Sequence, residues 1–95
     1  MGLELVVAGG AARPLGSLVE SLAAAGVAAT IIMIDGGLVA PGAPLPAAWR
    51  DVRLRAAEGT VTVARRGADL AVVVFGNADE ALRSLQMRIA AALQT

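Results

Sequence analysis

The sequence predicts an α+β domain in which a mixed or antiparallel sheet packs against helices on one face. Two observations lead to this prediction. Apolar runs of strand length recur along 95 residues, which is the size of one domain, so residues 1–95 are taken as a single unit. Helical periodicity is clear only near the start and at the end, and a doubly wound parallel sheet needs more helices than that.

The predicted strands are apolar or alternating runs bounded by turn residues. They cover residues 3–8, 28–34, 51–56 and 70–75, with residues 38–40 as a possible return arm of a hairpin. Residues 60–66 are β-branched and fit either a strand or a short helix. The first helix covers residues 15–25 and is ended by Gly26.

The last helix is predicted to begin after a cap at Asn77 or Asp79, both of which suit that position. Its polar residues Arg83, Gln86 and Arg88 are expected outside the apolar stripe. The members of that stripe are apolar residues at helical spacing, namely Ala81, Leu82, Leu85, Ile89, Ala92 and Leu93.

The segment Gly-Gly-Ala-Ala-Arg-Pro at residues 9–14 joins the first strand to the first helix. A turn on glycines that leads into a helix N-terminus offers backbone N–H groups and the positive end of the helix dipole, here with a guanidinium beside them. The candidate residues for binding an anion or a partner are therefore Gly10, Ala11, Ala12 and Arg13. We expect Arg13 to be exposed at this turn.

A proline-rich loop follows the possible hairpin and carries Leu45 and Trp49, the only tryptophan of the chain. Tryptophan is enriched at interface hot spots, so these two residues are candidates for a docking surface. The alternative is that Trp49 folds back as a lid over one end of the core.

The composition excludes several functions. All eight basic residues are arginine and the net charge is zero, so there is no electrostatic signature of nucleic-acid binding. The apolar runs are too short to span a membrane, and the N-terminus lacks the pattern of a signal peptide, so we expect a cytoplasmic protein. The chain is 57% apolar, which has two interpretations. Either it has a partner surface, such as a homo-oligomer interface, or it is a soluble monomer whose apolar fraction is raised by its many alanines.

Catalysis is not expected, because the chain has no histidine, cysteine, tyrosine or lysine. General acid–base chemistry needs titratable groups gathered in a pocket, and the carboxylates here are scattered over turns, strand ends and caps. They also lack metal-ligand spacing, so neither a metal nor a cofactor is predicted.

Residues 9–14 resemble the Gly-Leu-His-Ala-Arg-Pro motif of the phosphocarrier HPr family of the sugar phosphotransferase system, and residues 65–82 are similar to its final turn, strand and helix start. The resemblance implies an open-faced sandwich. Four antiparallel strands in the order 1-4-2-3 would carry two to three helices on one face, and residues 41–49 would be an insertion. Ala11 stands where the family has its phosphoryl-accepting histidine, so the implied function is a regulatory or protein-interaction module without phosphotransfer.

Two other families offer alternatives. The start and end of the first helix are similar to an ACT domain, which implies a small ligand bound between two copies near residues 9–16. That family needs a final strand, whereas this chain ends in the predicted helix. Residues 34–39 and 82–89 are similar to roadblock domains, which implies a small GTPase as partner, but residues 41–60 leave little room for the long helix of that family.

Overall fold

The fold is a six-stranded antiparallel sheet with two helices, seen in a computed structural model that describes residues 3–40, 42–76 and 78–94. The elements follow the chain as β1 (Leu3–Val7), α1 (Leu15–Ala24), β2 (Thr30–Ile34), β3 (Gly37–Leu38), β4 (Asp51–Ala56), β5 (Gly59–Arg66), β6 (Asp69–Val74) and α2 (Glu80–Leu93). The strands lie in the order β1-β6-β5-β4-β2-β3.

The α+β class agrees with the prediction, but the predicted four-stranded sheet is wrong. The ambiguous residues 60–66 belong to β5, which pairs with β4 on one side and with β6 on the other. The return arm is the two-residue strand β3, and it adds a sixth strand at one edge. The order 1-4-2-3 implied by the HPr resemblance is therefore not observed, and the structure describes two helices.

One core lies between the helices and one face of the sheet. Strand β4 alternates buried Val52 and Leu54 with exposed Arg53 and Arg55, as its sequence pattern predicts. The same cluster takes apolar side chains from every third or fourth position of both helices, among them Leu15, Leu18, Leu22, Leu85 and Ile89. The opposite face of the sheet is not part of this cluster.

Helix α2 is capped as one of the two alternatives predicted, because the Asp79 side chain accepts a hydrogen bond from the Leu82 N–H at 2.9 Å. Asn77, the other candidate cap, lies outside the described residues, as does Pro41 of the proline-rich loop. No helix of the described chain is long and apolar enough to cross a membrane.

The β2–β3 hairpin turns on Asp35 and Gly36, which both have positive φ, at 51° and 82°. This matches a type I′ turn, for which Asp-Gly is a preferred pair. The Asp35 carboxylate also accepts hydrogen bonds from the backbone N–H groups of Arg50 at 2.7 Å and Asp51 at 3.0 Å. These backbone donors lower the pKa of the Asp35 carboxyl below its usual value. The turn is thereby fastened to the start of β4.

We predict that Asp35→Asn lowers the free energy of unfolding at neutral pH but has little effect in acid. Because the folded-state pKa is lowered, the contribution of Asp35 is complete above the unfolded-state value of 3.8 and is lost as the pH falls through the folded-state value. Urea unfolding of both proteins from pH 7 to pH 2 measures the difference, with Glu20→Gln, an exposed carboxylate of α1, as control. A difference that stays constant over this range would contradict the assignment.

Candidate functional site

The turn at residues 9–13 is tied into the fold by its own backbone. Gly9 donates its N–H to the Asp69 carboxylate at 2.8 Å, and the Ala11 N–H donates to the Ala68 carbonyl at 3.3 Å. The Arg13 N–H donates to the Gly10 carbonyl at 3.0 Å, and Ala11 is buried. Three backbone N–H groups of the turn therefore donate to acceptors within the protein, whereas the predicted anion site has N–H groups that donate to the anion. The anion site stays a prediction.

Arg13 is half-buried, which corrects the expectation of an exposed side chain at the turn. Its guanidinium donates to the Ser21 hydroxyl of α1 at 2.9 Å and to the Leu93 carbonyl at the end of α2 at 3.2 Å. A cation at a helix C-terminus satisfies a carbonyl that has no partner within its own helix and complements the helix dipole. Helix α2 has no basic residue in its last turn, so Arg13 supplies this charge from another element.

Trp49 lies in the core with only 2% of its surface exposed. Its indole Nε1–H donates to the Arg13 carbonyl at 3.0 Å, and Arg65 Nη2 donates to the same oxygen at 3.3 Å. The Arg65 guanidinium also lies over the indole ring, 4.7 Å from its centroid. Of the two alternatives for Trp49, the structure agrees with the lid over the core.

Leu45, the other interface candidate, remains exposed and lines a cavity of about 360 Å³ beneath the proline-rich loop. The floor of the cavity includes Leu22 and Leu54, and among the described residues that line it Thr30 alone has a polar side chain. Trp49 and the turn at residues 9–13 are not among the residues that line this cavity with Leu45.

A different candidate site lies at the β1 edge of the sheet, and it depends on Gln86. This side chain is only 3% exposed and is the one buried polar side chain in the described part of the chain. Its Nε2 donates to the Leu3 carbonyl of β1 at 3.0 Å and to the Val72 carbonyl of β6 at 2.9 Å. The sequence prediction that placed Gln86 outside the buried stripe is wrong.

These two bonds fix which way the backbone of β1 faces. Oxygens that share one donor at these distances are at most about 6 Å apart. Val72 pairs with Leu5, which lies two residues after Leu3 and directs its backbone groups to the same side as Leu3. If the Leu3 carbonyl pointed away from β6, the Val72 carbonyl would therefore point away from β1. The two oxygens would then be roughly 8 Å apart or more, since strand axes are about 4.8 Å apart. Both carbonyls therefore face the space between β1 and β6.

The alternate residues of β1 consequently face outward. In an antiparallel ladder, residues that direct their N–H and C=O to one neighbour alternate with residues that direct them to the other side. With Leu3 turned toward β6, Glu4 and Val6 direct their backbone groups away from the sheet. The sheet order ends at β1, so these groups stand along its outer edge. Such an edge is a template for pairing with another strand.

The other edge of the sheet is different. It is formed by β3, which has two residues, whereas β1 has five. Short edge strands are one of the ways in which proteins avoid edge-to-edge pairing. Strand β1 contains no proline and no lysine, and it keeps Val6 56% exposed. The two edges therefore differ in their capacity to accept a strand.

A groove of about 640 Å³ runs between β1 and α2 beside this edge. Its lining combines apolar, polar and charged side chains of both elements, namely Leu5, Ala78, Glu80, Arg83, Ser84, Gln86 and Met87. Met87 is 59% exposed. A strand added to β1 would direct alternate side chains toward this groove and the others toward the opposite face.

The described residues contain no cluster of three or more metal-binding side chains, and neither the cavity lined by Leu45 nor the groove beside β1 has a pair of carboxylates among its described lining residues. The geometry provides backbone hydrogen bonds and apolar contact, which are means of binding.

Helical spacing was the available signal for this site, because Gln86 lies four residues after Leu82 and three before Ile89, within the buried stripe. Its polarity led to the opposite prediction.

Comparisons with known proteins give no relative. The chain matches no protein-family model, no curated protein and no solved structure. The resemblance to the HPr family and the two alternatives to it therefore stay predictions from the sequence.

We predict that Arg13→Ala lowers the free energy of unfolding by about 2 kcal/mol, because hydrogen bonds to charged groups contribute about 1.5–3 kcal/mol. Trp49→Phe keeps an aromatic ring under Arg65 but loses the bond to the Arg13 carbonyl, at a cost of about 1 kcal/mol. Chemical denaturation measures both effects. The control is Arg53→Ala, an exposed arginine of β4, for which a change within about 0.5 kcal/mol is expected. Equal stability of the Arg13 and Arg53 variants would contradict the role of Arg13.

Proposed function

We propose that this chain is a non-catalytic protein-interaction module that binds an extended strand of a partner along the outer edge of β1. The observation that supports the proposal most directly is the orientation of Glu4 and Val6, which direct backbone donors and acceptors out of the sheet. Strand addition of this kind draws its affinity from main-chain hydrogen bonds. The adjoining groove offers pockets for alternate side chains of the partner, from which specificity would come.

The site chemistry supports binding without a reaction. The chain has no histidine, cysteine, tyrosine or lysine, and Ala11 has no nucleophilic atom to accept a phosphoryl group. The proposal therefore retains the prediction of a regulatory or interaction module without phosphotransfer. It moves the contact surface from the turn at residues 9–13 to β1. We set this interaction in the cytoplasm, consistent with a chain that has no cysteine to form disulfides.

We predict that a short peptide of alternating threonine and valine with flanking lysines binds at β1. In amide-resolved NMR titrations the peptide should shift the signals of β1 and of the groove residues of α2. The same peptide with N-methyl groups on alternate amides serves as the ligand control, because it cannot complete the ladder. Val6→Pro is the matched variant, since proline removes an outward N–H and is tolerated on edge strands whose N–H faces solvent.

The proposal requires that both changes reduce the shifts by at least tenfold at equal peptide concentration. Shifts centred on β3, or shifts that survive N-methylation and Val6→Pro, would show a different mode of binding and overturn it. A circular dichroism spectrum of Val6→Pro that matches the parent protein establishes that the variant is folded.

A further inference from the structure

We propose that the strand that occupies this edge is β1 of a second copy of the same chain, so that the two sheets join into one of twelve strands about a two-fold axis. This inference rests on the proposed function of the β1 edge and names its partner. The alternation of backbone groups along β1 and the charge of Glu4 select the register in which the two copies pair.

The outward-facing groups select the register of such a pair. In an antiparallel pair, a residue with outward N–H and C=O forms a hydrogen-bonded pair only with a residue of the same kind. Within Leu3–Val7 these residues are Glu4 and Val6. When Glu4 of each copy lies opposite Val6 of the other, the two strands form two hydrogen-bonded pairs. Each pair has two backbone hydrogen bonds, so the register gives four. Leu5 then faces Leu5 of the second copy on the axis.

The competing symmetric registers are worse for identifiable reasons. Setting Glu4 opposite Glu4 of the second copy places like charges directly across the pair, which is destabilising. Setting Val6 opposite Val6 leaves Glu4 opposite a residue beyond the end of the strand. In the selected register each Glu4 carboxylate lies beside a valine and keeps its ion pair with Arg66 of its own chain, at 3.3 Å.

The same register covers exposed apolar surface. Val6 and Met87 are 56% and 59% exposed, and Leu3 is also exposed, although all three lie on β1 or along the groove beside it. Pairing brings the second copy against Val6 on one face of the sheet and against Leu3 and Leu5 on the other. The net charge of the chain is zero, so two copies approach without overall repulsion.

Engineered cysteines test the register, because the native chain has none. Leu5→Cys places two thiols on the axis in a non-hydrogen-bonded pair, where Cα atoms are about 4.5 Å apart and a disulfide is possible. Leu3→Cys is the matched control. Each Leu3 faces Val7 of the other copy, so the two engineered thiols are four residues apart along the strands, roughly 13 Å. Under mild oxidation, covalent dimer should form at least tenfold faster with Leu5→Cys.

Charge substitutions at Val6 test the contact independently by sedimentation equilibrium. Val6→Glu sets two glutamates side by side in each pair and should weaken dimerisation at least tenfold, whereas Val6→Lys faces Glu4 and should preserve it. Leu38→Glu on the opposite edge strand, at a residue that is 86% exposed, is the control and should leave the dimer unchanged.

The outcomes separate this inference from the proposed function. A parent protein that stays monomeric at high micromolar concentration but binds the strand peptide overturns the second copy as partner and leaves the β1 edge as a binding site. A dimer that Leu38→Glu disrupts and Val6→Glu does not, or equal crosslinking of both cysteine variants, overturns the proposed pairing. A monomer that binds no strand peptide removes both proposals.

Discussion

The hydrogen bonds of Gln86 are the interaction on which the edge of this sheet depends. A primary amide in an apolar core is costly unless its donors are satisfied, and this amide is satisfied by carbonyls of two adjacent strands. Since Gln86 belongs to α2, the bonds also link the rotation of that helix to the position of β1. The neighbouring Leu85 and Ile89 enter the core from the same helix. The outward direction of Glu4 and Val6 follows from the pairing of β1 with β6, and the bonds of Gln86 join α2 to both of these strands.

The opposite end of the helical layer is held by Arg13, whose backbone and side chain serve different elements. Its carbonyl accepts from Trp49 and Arg65, which fastens the turn to the proline-rich loop and to β5. Its guanidinium joins α1 to the C-terminus of α2. Because α2 is fixed at this end by Arg13 and along its length by Gln86, β1 packs against a helix that is constrained twice. This constraint makes the edge a defined surface.

The sequence pattern predicted those elements whose structure depends on residues close to one another in the chain. The alternation of Asp51–Ala56, the cap at Asp79 and the strand at Leu70 onward all follow from neighbouring residues. Residues 60–66 could not be assigned this way, since their β-branched run becomes a strand through pairing with β4 and β6. The roles of Arg13 and Trp49 depend on a contact between residues 36 positions apart. Gln86 is buried because of its helical position, four residues after Leu82 and three before Ile89, which its polarity alone does not predict.

Hydrogen exchange of individual β1 amides tests the central claim most directly. At submicromolar concentration, where self-association is minimal, the amides of Glu4 and Val6 should exchange rapidly, because their N–H groups point out of the sheet. The amide of Leu5 should be protected, since it donates to β6. Electron-transfer fragmentation in the mass spectrometer resolves these neighbouring positions. Protection of Glu4 and Val6 with rapid exchange at Leu5 would contradict the account, because β1 would then present the opposite set of groups at its edge.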